Sequence, residues 1–189
     1  LDSCSQLPIH LTMKRRLAIA LITSLSLALH SFAEDTPKTF TAGEYGFTVA
    51  KGWTKKTQAR AMSAGGLTYK IEGSETTLDA DFYHFGQGQG GGVEANIARW
   101  RGQFEGKPTE KTRTKLAGGK VEFLHLEGTF LSGPPFGKKT PNQNYAMLGA
   151  IVTSAKGDVF VKLTGPKADV DKALKAFKAL ITSPFAKKE

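Results

Sequence analysis

The segment of this sequence best suited to chemistry is a glycine cluster at residues 86–92, Gly-Gln-Gly-Gln-Gly-Gly-Gly, directly before a helical pattern. Its glycines at 86, 88 and 91 match the G-x-G-x-x-G spacing that holds a pyrophosphate in dinucleotide-binding folds. The preceding segment is amphipathic instead of a buried parallel strand, and its neighbours are hairpins, which argues against a dinucleotide site. Free backbone amides at a helix start still attract anions. The alternative is a hinge, or a place where backbone segments pack closely.

Lysines that the connectivity brings to the same end of the fold favour an anion site. If each helix crosses the sheet once, the glycine cluster, the connection 51–65 and the turns at Gly118 and Gly157 share one end. We therefore expect an anionic ligand there, held without a metal or a cofactor. Its expected contacts are the amides of Gly88, Gly90, Gly91 and Gly92 and the side chains of Lys55, Lys56 and Lys156. The same reasoning assigns Lys107, Lys138, Lys139 and Lys167 to the opposite end.

Two histidines, His84 and His125, are the candidates for metal binding or proton transfer. Asp79 and Asp81 lie close to His84 in sequence, but side chains alternate along a strand, so the aspartates share one face and His84 points to the other. His125 shares a face with apolar residues of its own strand. We expect both histidines to be hydrogen-bonded and partly buried, with no metal site and no catalytic residue. The alternative is an enzyme of unrecognised type that uses His84 or His125.

The connection at residues 131–144 is a predicted loop of fourteen residues with three prolines. Loops longer than about twelve residues in a compact domain are usually functional or mobile. Phe136, Lys138 and Lys139 would present an aromatic ring and two cations to a partner or a membrane surface. The alternative is a tolerated insertion with Phe136 folded back onto the domain.

Residues 13–33 have the three parts of a secretory signal peptide. Basic residues at 14–16 precede an apolar stretch at 17–29, and small residues then surround Ala33. We therefore expect export to the periplasm or the extracellular space, with cleavage between Ala33 and Glu34. The apolar stretch is too short to span a bilayer of about 30 Å, so no transmembrane segment is expected in the mature chain.

Residues 1–12 precede the signal peptide, and we interpret them as an over-extended gene start. They contain Cys4, the chain's one cysteine, so the expected mature chain has no disulfide. Its 156 residues are enough to bury a sizeable core without one. We expect a single domain at 39–185, between a disordered N-terminus at 34–38 and a tail at 186–189, and we expect it to be a monomer.

The expected mature chain is basic, because removal of residues 1–33 leaves 23 basic and 16 acidic residues and a formal charge of +7. That balance favours anionic surroundings, so the expected partner is an envelope protein, an anionic polymer or a lipid head group. No run of four lysines occurs, and no nucleic acid is expected. The alternative is a generally cationic, solvated surface without a dedicated site.

Apolar periodicity predicts an α+β domain on a single antiparallel sheet of six or seven strands, with helices packed on its faces. The predicted strands are 40–50, either regular or with a bulge at Gly43, and 67–72, 77–85, 111–116, 120–130, 145–154 and 159–164. A period of 3.6 residues predicts helices at 93–104 and 170–182. Several strands carry apolar residues on both faces, which is typical of a sheet covered on each side.

Three features of this pattern resemble the PsbP-like superfamily, which includes the Ran-binding Mog factor and DcrB-like envelope proteins. An aromatic strand leads into Gly52-Trp53, a final hairpin leads through Leu163-Thr164-Gly165-Pro166 into a helix, and that helix ends in Ile181-Thr182-Ser183-Pro184-Phe185. The chain also resembles uncharacterised exported bacterial proteins. The resemblance implies a small α-β-α sandwich that binds other proteins and has no shared catalytic residues. We therefore expect an exported binding or accessory protein of the cell envelope.

Overall fold

The computed structural model describes residues 38–187, apart from 59, 61 and 135. The predicted gene-start extension, signal peptide and cleavage site lie outside the described residues. The described chain contains, in order, β1 (Lys38–Ala42), β2 (Tyr45–Val49), β3 (Trp53–Lys55), β4 (Gly65–Lys70), β5 (Thr77–His84), α1 (Val93–Arg101), β6 (Thr109–Leu116), β7 (Val121–Ser132), β8 (Thr140–Val152), β9 (Val159–Pro166) and α2 (Lys167–Thr182).

Seven of these strands form one antiparallel sheet in the order β3-β4-β5-β9-β8-β7-β6, and β1 and β2 form a second, two-stranded sheet. The predicted α+β fold is confirmed. Most neighbours in the main sheet are joined by short turns, which make them antiparallel. The pairing of β5 with β9 joins strands β3–β5 to strands β6–β9 in one sheet. In the described part of the chain, no helix combines the length and apolar character needed to cross a membrane.

One face of the main sheet is covered by α2 and by the β1–β2 hairpin. Val170, Phe177 and Ile181 form the apolar stripe of α2 and have no exposed surface. They pack in one core with residues from alternate positions of the central strands, such as Leu148 and Val161. Leu174, which the periodicity places on the same stripe, is only partly buried.

The opposite face is covered by α1, which packs on the side of the sheet formed by β7, β8 and β9. Ile97 and Trp100 of α1 are buried in a second core that includes Met147 and Ile151 of β8. Between these two β8 residues lies Gly149, where an added Cβ would overlap the Trp100 ring. A glycine is therefore what lets α1 lie this close to the sheet.

The prediction of a single strand at 40–50 is wrong, because the chain forms a two-stranded hairpin there. The chain turns at Gly43 and Glu44, and Phe40 of β1 pairs with Phe47 of β2. Gly43 has a φ of +58°, a conformation that glycine adopts without strain. Both phenylalanines pack on Phe82 of β5, with ring centroids 4.7 and 5.1 Å apart.

Three further differences concern one additional strand and the ends of predicted elements. The strand β3 was not predicted. Helix α1 ends at Arg101, before the predicted end at Phe104, which forms a β-bridge with Phe130. Half of the predicted loop at 131–144 belongs to β7 and β8, where Leu131 pairs with Pro141 and Ser132 pairs with Thr140. The true connection is the seven-residue segment 133–139.

The strand register confirms how the connections divide between the two ends of the main sheet. The glycine cluster, the segment 56–64 and the turns at Gly118 and Gly157 lie at one end, and the segment 133–139 lies at the other. An added Cβ at Gly157 would overlap the backbone of Gly86. The glycine cluster therefore begins in direct contact with the β8–β9 turn.

Candidate functional site

A cleft lies between the β1–β2 hairpin and the outer edge of the main sheet, which is formed there by β3 and β4. Its volume is about 850 Å³, within the range of about 300–1,000 Å³ that is usual for small-ligand sites. Phe40 and Trp53 line it with small exposed fractions of 7% and 6%, whereas Leu67 lies behind them with no exposed surface. Met62, which precedes the lining residue Ser63 in the chain, is 81% exposed.

Three lysines line the same cleft, namely Lys38, Lys55 and Lys56, and its described lining contains no carboxylate. Lys38 and Lys55 are exposed, and neither forms an ion pair with a described residue. The cleft therefore combines an apolar surface with two available positive charges.

The third lysine, Lys56, is already neutralised by two aspartates of β5. Its Nζ lies 2.7 Å from Asp79 Oδ2 and 2.9 Å from Asp81 Oδ1. Burial alone would lower the pKa of Lys56, but these hydrogen bonds outweigh burial and raise the pKa above its usual value. The two aspartates share one face of β5, as their spacing predicts. Lys56 thus fixes the segment 56–64 to the sheet, and its charge is committed to the two carboxylates.

The close approach of Lys56 to the sheet depends on Gly66 in β4. Gly66 lies directly across from Asp81, and an added Cβ would come within 3.1 Å of Lys56 Cδ and 3.0 Å of the Ala80 carbonyl oxygen. Distances this short are rare in folded proteins. A side chain at position 66 would push Lys56 away from its carboxylates.

The glycine cluster forms a compact turn that the first residues of α1 hold in place. Asn96 Nδ2 donates to the carbonyl oxygens of Gly90, Gly91 and Gly92 at 2.9, 3.1 and 3.1 Å. Arg99 in turn donates to Asn96 Oδ1 at 2.6 Å. The backbone amides of these glycines donate no hydrogen bond to another described residue. Their availability to an anion stays a prediction.

The structure divides the residues of the predicted anion site between separate places at one end of the sheet. Lys55 and Lys56 line the cleft, whereas Gly88, Gly90, Gly91, Gly92 and Lys156 are not part of its lining. Lys156 lies 3.7 Å from Glu44 Oε2, so it helps to hold the hairpin turn. Lys55 is the predicted lysine whose charge remains available in the cleft.

The segment 133–139 at the opposite end exposes the predicted aromatic residue. Phe136 is fully exposed, and it does not fold back onto the domain. Lys139 Nζ donates to the Pro134 carbonyl oxygen at 2.6 Å, whereas Lys138 is exposed. Of the two predicted cations, Lys139 therefore stabilises its own loop.

A second group of polar residues lies where β7 meets the start of α2. His125 Nε2 is 3.6 Å from Glu127 Oε1 and 3.8 Å from Asp171 Oδ1. Lys167 Nζ lies 3.1 Å from Glu127 Oε1 and 2.5 Å from Asp171 Oδ2. Burial lowers the pKa of His125, although the two carboxylates oppose that change. His125 was expected to be partly buried and hydrogen-bonded, but it is buried, and its Nε2 has no hydrogen-bond partner among the described residues.

The other histidine has a simpler environment. His84 Nδ1 lies 3.4 Å from the Asp158 carbonyl oxygen, and its ring fills the space beside Gly43, where an added Cβ would come within 3.0 Å. These contacts place His84 between the hairpin turn and the β8–β9 turn. They are typical of a packing residue.

Sequence reasoning missed Glu127, Asp171 and Lys167 as neighbours of His125. The spacing of His125 and Glu127 is a usable signal, because residues i and i+2 of a strand share a face. The contribution of Asp171 depends on how α2 docks on the sheet, which no local pattern specifies. The cleft was missed because it needs the turn at Gly43.

The fold and this geometry define an α+β domain with an open cleft of ligand-binding size. No family model matches the chain, and no curated protein matches it either. Two solved structures are similar in part. LpqN of Mycobacterium tuberculosis, described as involved in cell envelope biogenesis, shares 12% identity over 78% of this chain and 83% of its own, with a TM-score of 0.43.

The second structure is PA94 of Pseudomonas aeruginosa, a protein of unknown function. It shares 10% identity over 81% of this chain and 99% of its own, with a TM-score of 0.40. Both scores lie below 0.5, so neither likeness carries an argument about function. The description of neither protein mentions the PsbP-like superfamily, so the resemblance to that superfamily stays a prediction.

Proposed function

We propose that this chain is an exported binding protein of the cell envelope whose cleft takes an amphiphilic anion, such as a long-chain carboxylate. The observation that carries this proposal is the lining of the cleft, where apolar side chains and lysines occur together without a carboxylate among the described residues. Export is supported by the predicted signal peptide at 13–33. The basic charge of the expected mature chain favours an anionic ligand in general.

In the proposed complex the apolar body of the ligand lies against Phe40 and Trp53, and its anionic group contacts Lys55 and Lys38. Lys56 contributes little to binding because its charge is balanced by Asp79 and Asp81. The ligand is held without base chemistry, because the described lining offers hydroxyl and ammonium groups but neither a histidine nor a carboxylate.

A titration with a fluorescent polyene fatty acid tests the proposal. We expect saturable binding, with energy transfer from Trp53, which lies in the cleft. Lys55→Glu should weaken binding about tenfold, because it replaces an attraction by a repulsion worth on the order of 1 kcal/mol near the surface. Lys115→Glu is the matched control. It changes the net charge equally, and Lys115 is exposed on β6 at the far edge of the sheet.

Two further comparisons separate charge from apolar contact. An alcohol of the same chain length should bind more weakly than the carboxylate, and binding of the carboxylate should weaken with salt because exposed charges are screened over about 10 Å at 0.1 M. Absence of saturable binding, or equal affinity of the Lys55 and Lys115 variants, contradicts the proposal. In that case the exposed surface around Phe136 and Lys138 is the next one to test with an envelope extract.

The second candidate is an enzyme that uses His125, and it is favoured by the two carboxylates and the ammonium group around that ring. His84 does not support the same idea, because its nearest polar partner is a backbone carbonyl. A hydrolase screen decides the matter. Activity that disappears in a folded His125→Gln variant supports catalysis, and activity that survives in that variant rejects a catalytic role for His125.

A further inference from the structure

Three side chains that suit a metal ion meet at the junction of β7 and α2. His125 and Glu127 extend from the same face of β7, and Asp171 extends toward them from α2. One nitrogen and two carboxylate oxygens from these residues lie within 4.8 Å of one another. This group is far from the cleft described above, and it is not needed for the proposed function.

One nitrogen of this group is buried without a hydrogen-bond partner among the described residues. His125 is 5% exposed, and its Nε2 has no hydrogen-bond partner among the described residues. Glu127 Oε1 also lacks a well-aligned hydrogen bond, although Lys167 Nζ lies 3.1 Å away. Buried polar atoms are nearly always paired in folded proteins. His125 Nε2 and Glu127 Oε1 face each other at 3.6 Å, a separation at which one small ion can contact both atoms.

We propose that His125, Glu127 and Asp171 bind a divalent transition-metal ion of the zinc type. One imidazole and two carboxylates are a suitable ligand set for such an ion, and three protein ligands leave one position for water. Ligand atoms around a tetrahedral zinc ion lie about 3.3 Å apart, given zinc-ligand distances of about 2.0–2.1 Å. The distances of 3.6 and 3.8 Å from His125 Nε2 are close to this value. The two carboxylate oxygens lie within 4.8 Å of each other, and movement of Asp171 would bring them closer around an ion.

The remaining coordination position has access to solvent. A shallow cleft of about 370 Å³ lies beside the group, and both Glu127 and Lys167 line it. An ion could therefore reach Glu127 from this side without opening the core. Asp171, whose side chain is 40% exposed, can adjust its position because it lies at the surface.

Lys167 is the competitor for this site. Its ammonium group contacts the same two carboxylates that would bind the metal, so the ion must displace it. The Lys167 side chain is 42% exposed and can move into solvent. Removal of its charge should therefore strengthen metal binding, and this effect separates a metal site from a cluster that Lys167 merely neutralises.

Calorimetric titration of the untagged protein with Zn²⁺ tests the proposal. We expect saturable binding with a micromolar or tighter dissociation constant, and a higher melting temperature with Zn²⁺ than without it. Asp171→Asn should weaken binding at least tenfold, and Lys167→Met should strengthen it several-fold. Asp169→Asn is the matched control on the same turn of α2, since Asp169 is paired with Lys172. This control leaves all histidines and the cysteine of the chain unchanged.

Three results overturn the proposal. They are the absence of saturable Zn²⁺ binding by the unaltered protein, equal affinities of the Asp171 and Asp169 variants, and weaker binding by the Lys167→Met variant. The Asp171 and Lys167 side chains are partly exposed, so these variants are expected to fold. A His125→Gln variant adds a test of the buried ligand. Its circular dichroism spectrum shows whether the fold survives before its affinity is compared.

Discussion

Asp81 and Lys162 are direct partners across β5 and β9, yet the Asp81 carboxylate is bound by other cations. Lys56 Nζ lies 2.9 Å from Asp81 Oδ1, and Arg60 Nε lies 2.8 Å from Asp81 Oδ2. Lys162 Nζ instead donates to Gln103 Oε1 at 2.8 Å. Burial lowers the pKa of Lys162 to about 8, and the charge of Arg60 adds to that effect.

This pKa makes the stability of the protein depend on pH. The unfolded chain keeps the Lys162 proton up to the ordinary lysine pKa of 10.5, whereas the folded protein loses it near pH 8. The free energy of unfolding therefore rises between about pH 8 and pH 10.5, and below pH 8 the buried charge costs roughly 3 kcal/mol. Lys162→Met should raise the free energy of unfolding by about 2 kcal/mol at pH 7. The gain should disappear toward pH 10.5.

Urea unfolding of both proteins at pH 7, 8.5 and 10 measures this difference. An exposed control, Lys115→Met, should show no pH-dependent difference from the unaltered protein. A gain in the Lys162 variant that stayed constant over this range would show that Lys162 keeps its ordinary pKa.

The neighbouring residues Lys55 and Lys56 should respond differently to the same substitution. Lys56→Met leaves the buried Asp81 with Arg60 alone, and loss of one partner of a buried ion pair costs about 3 kcal/mol. Lys55→Met removes an exposed charge, so we expect a change within about 0.5 kcal/mol. Chemical unfolding at pH 7 gives both values, and similar losses in the two variants would rule out the described pairing of Lys56.

Gly149 should not tolerate a side chain. An added Cβ overlaps the Trp100 ring, so Gly149→Ala must displace α1 and should cost about 2–3 kcal/mol. Gly102→Ala is the control, because φ there is −68° and an added Cβ would meet its neighbours at 3.5 Å or more. Thermal unfolding should show a clear loss for the Gly149 variant and almost none for the Gly102 variant.

The mature N-terminus of the exported protein should be Glu34. The prediction rests on the small residues that end at Ala33, and the intact mass of the exported protein measures it. A product that retains Met13 would contradict the cleavage site, and a product that also retains Cys4 would contradict the expected absence of cysteine.

The main sheet and both helices were predictable because their apolar residues recur with a clear period. Val159, Val161 and Leu163 alternate along β9, and Val170, Phe177 and Ile181 mark one side of α2. The hairpin at β1 and β2 was missed because a strand with a bulge has the same aromatic and β-branched content. A usable signal was present, since a glycine at the first position of a two-residue turn is typical of hairpins.

The candidate site was harder to predict because its residues come together through packing. Lys55 and Lys56 are adjacent in sequence and equally basic, but the register of β5 against β4 brings two aspartates to Lys56 alone. Likewise, the pairing of β7 residues with Asp171 depends on where α2 lies on the sheet. Such contacts depend on tertiary structure, so they could not be predicted from the local pattern of charges.

The β1–β2 hairpin opens the described chain, yet its neighbours come from the other end. The Thr48 amide donates to Ser183 Oγ, 135 positions away, and the Tyr45 ring packs on Phe185. Contacts between such distant residues form late, because a long loop must close first. A chain exported from its N-terminus would therefore keep its first strands unpaired with α2 until the last residues have emerged. The lining of the cleft comes from residues 38–67, but the hairpin on one side of it would gain its contacts with Ser183 and Phe185 only after the C-terminal residues have emerged.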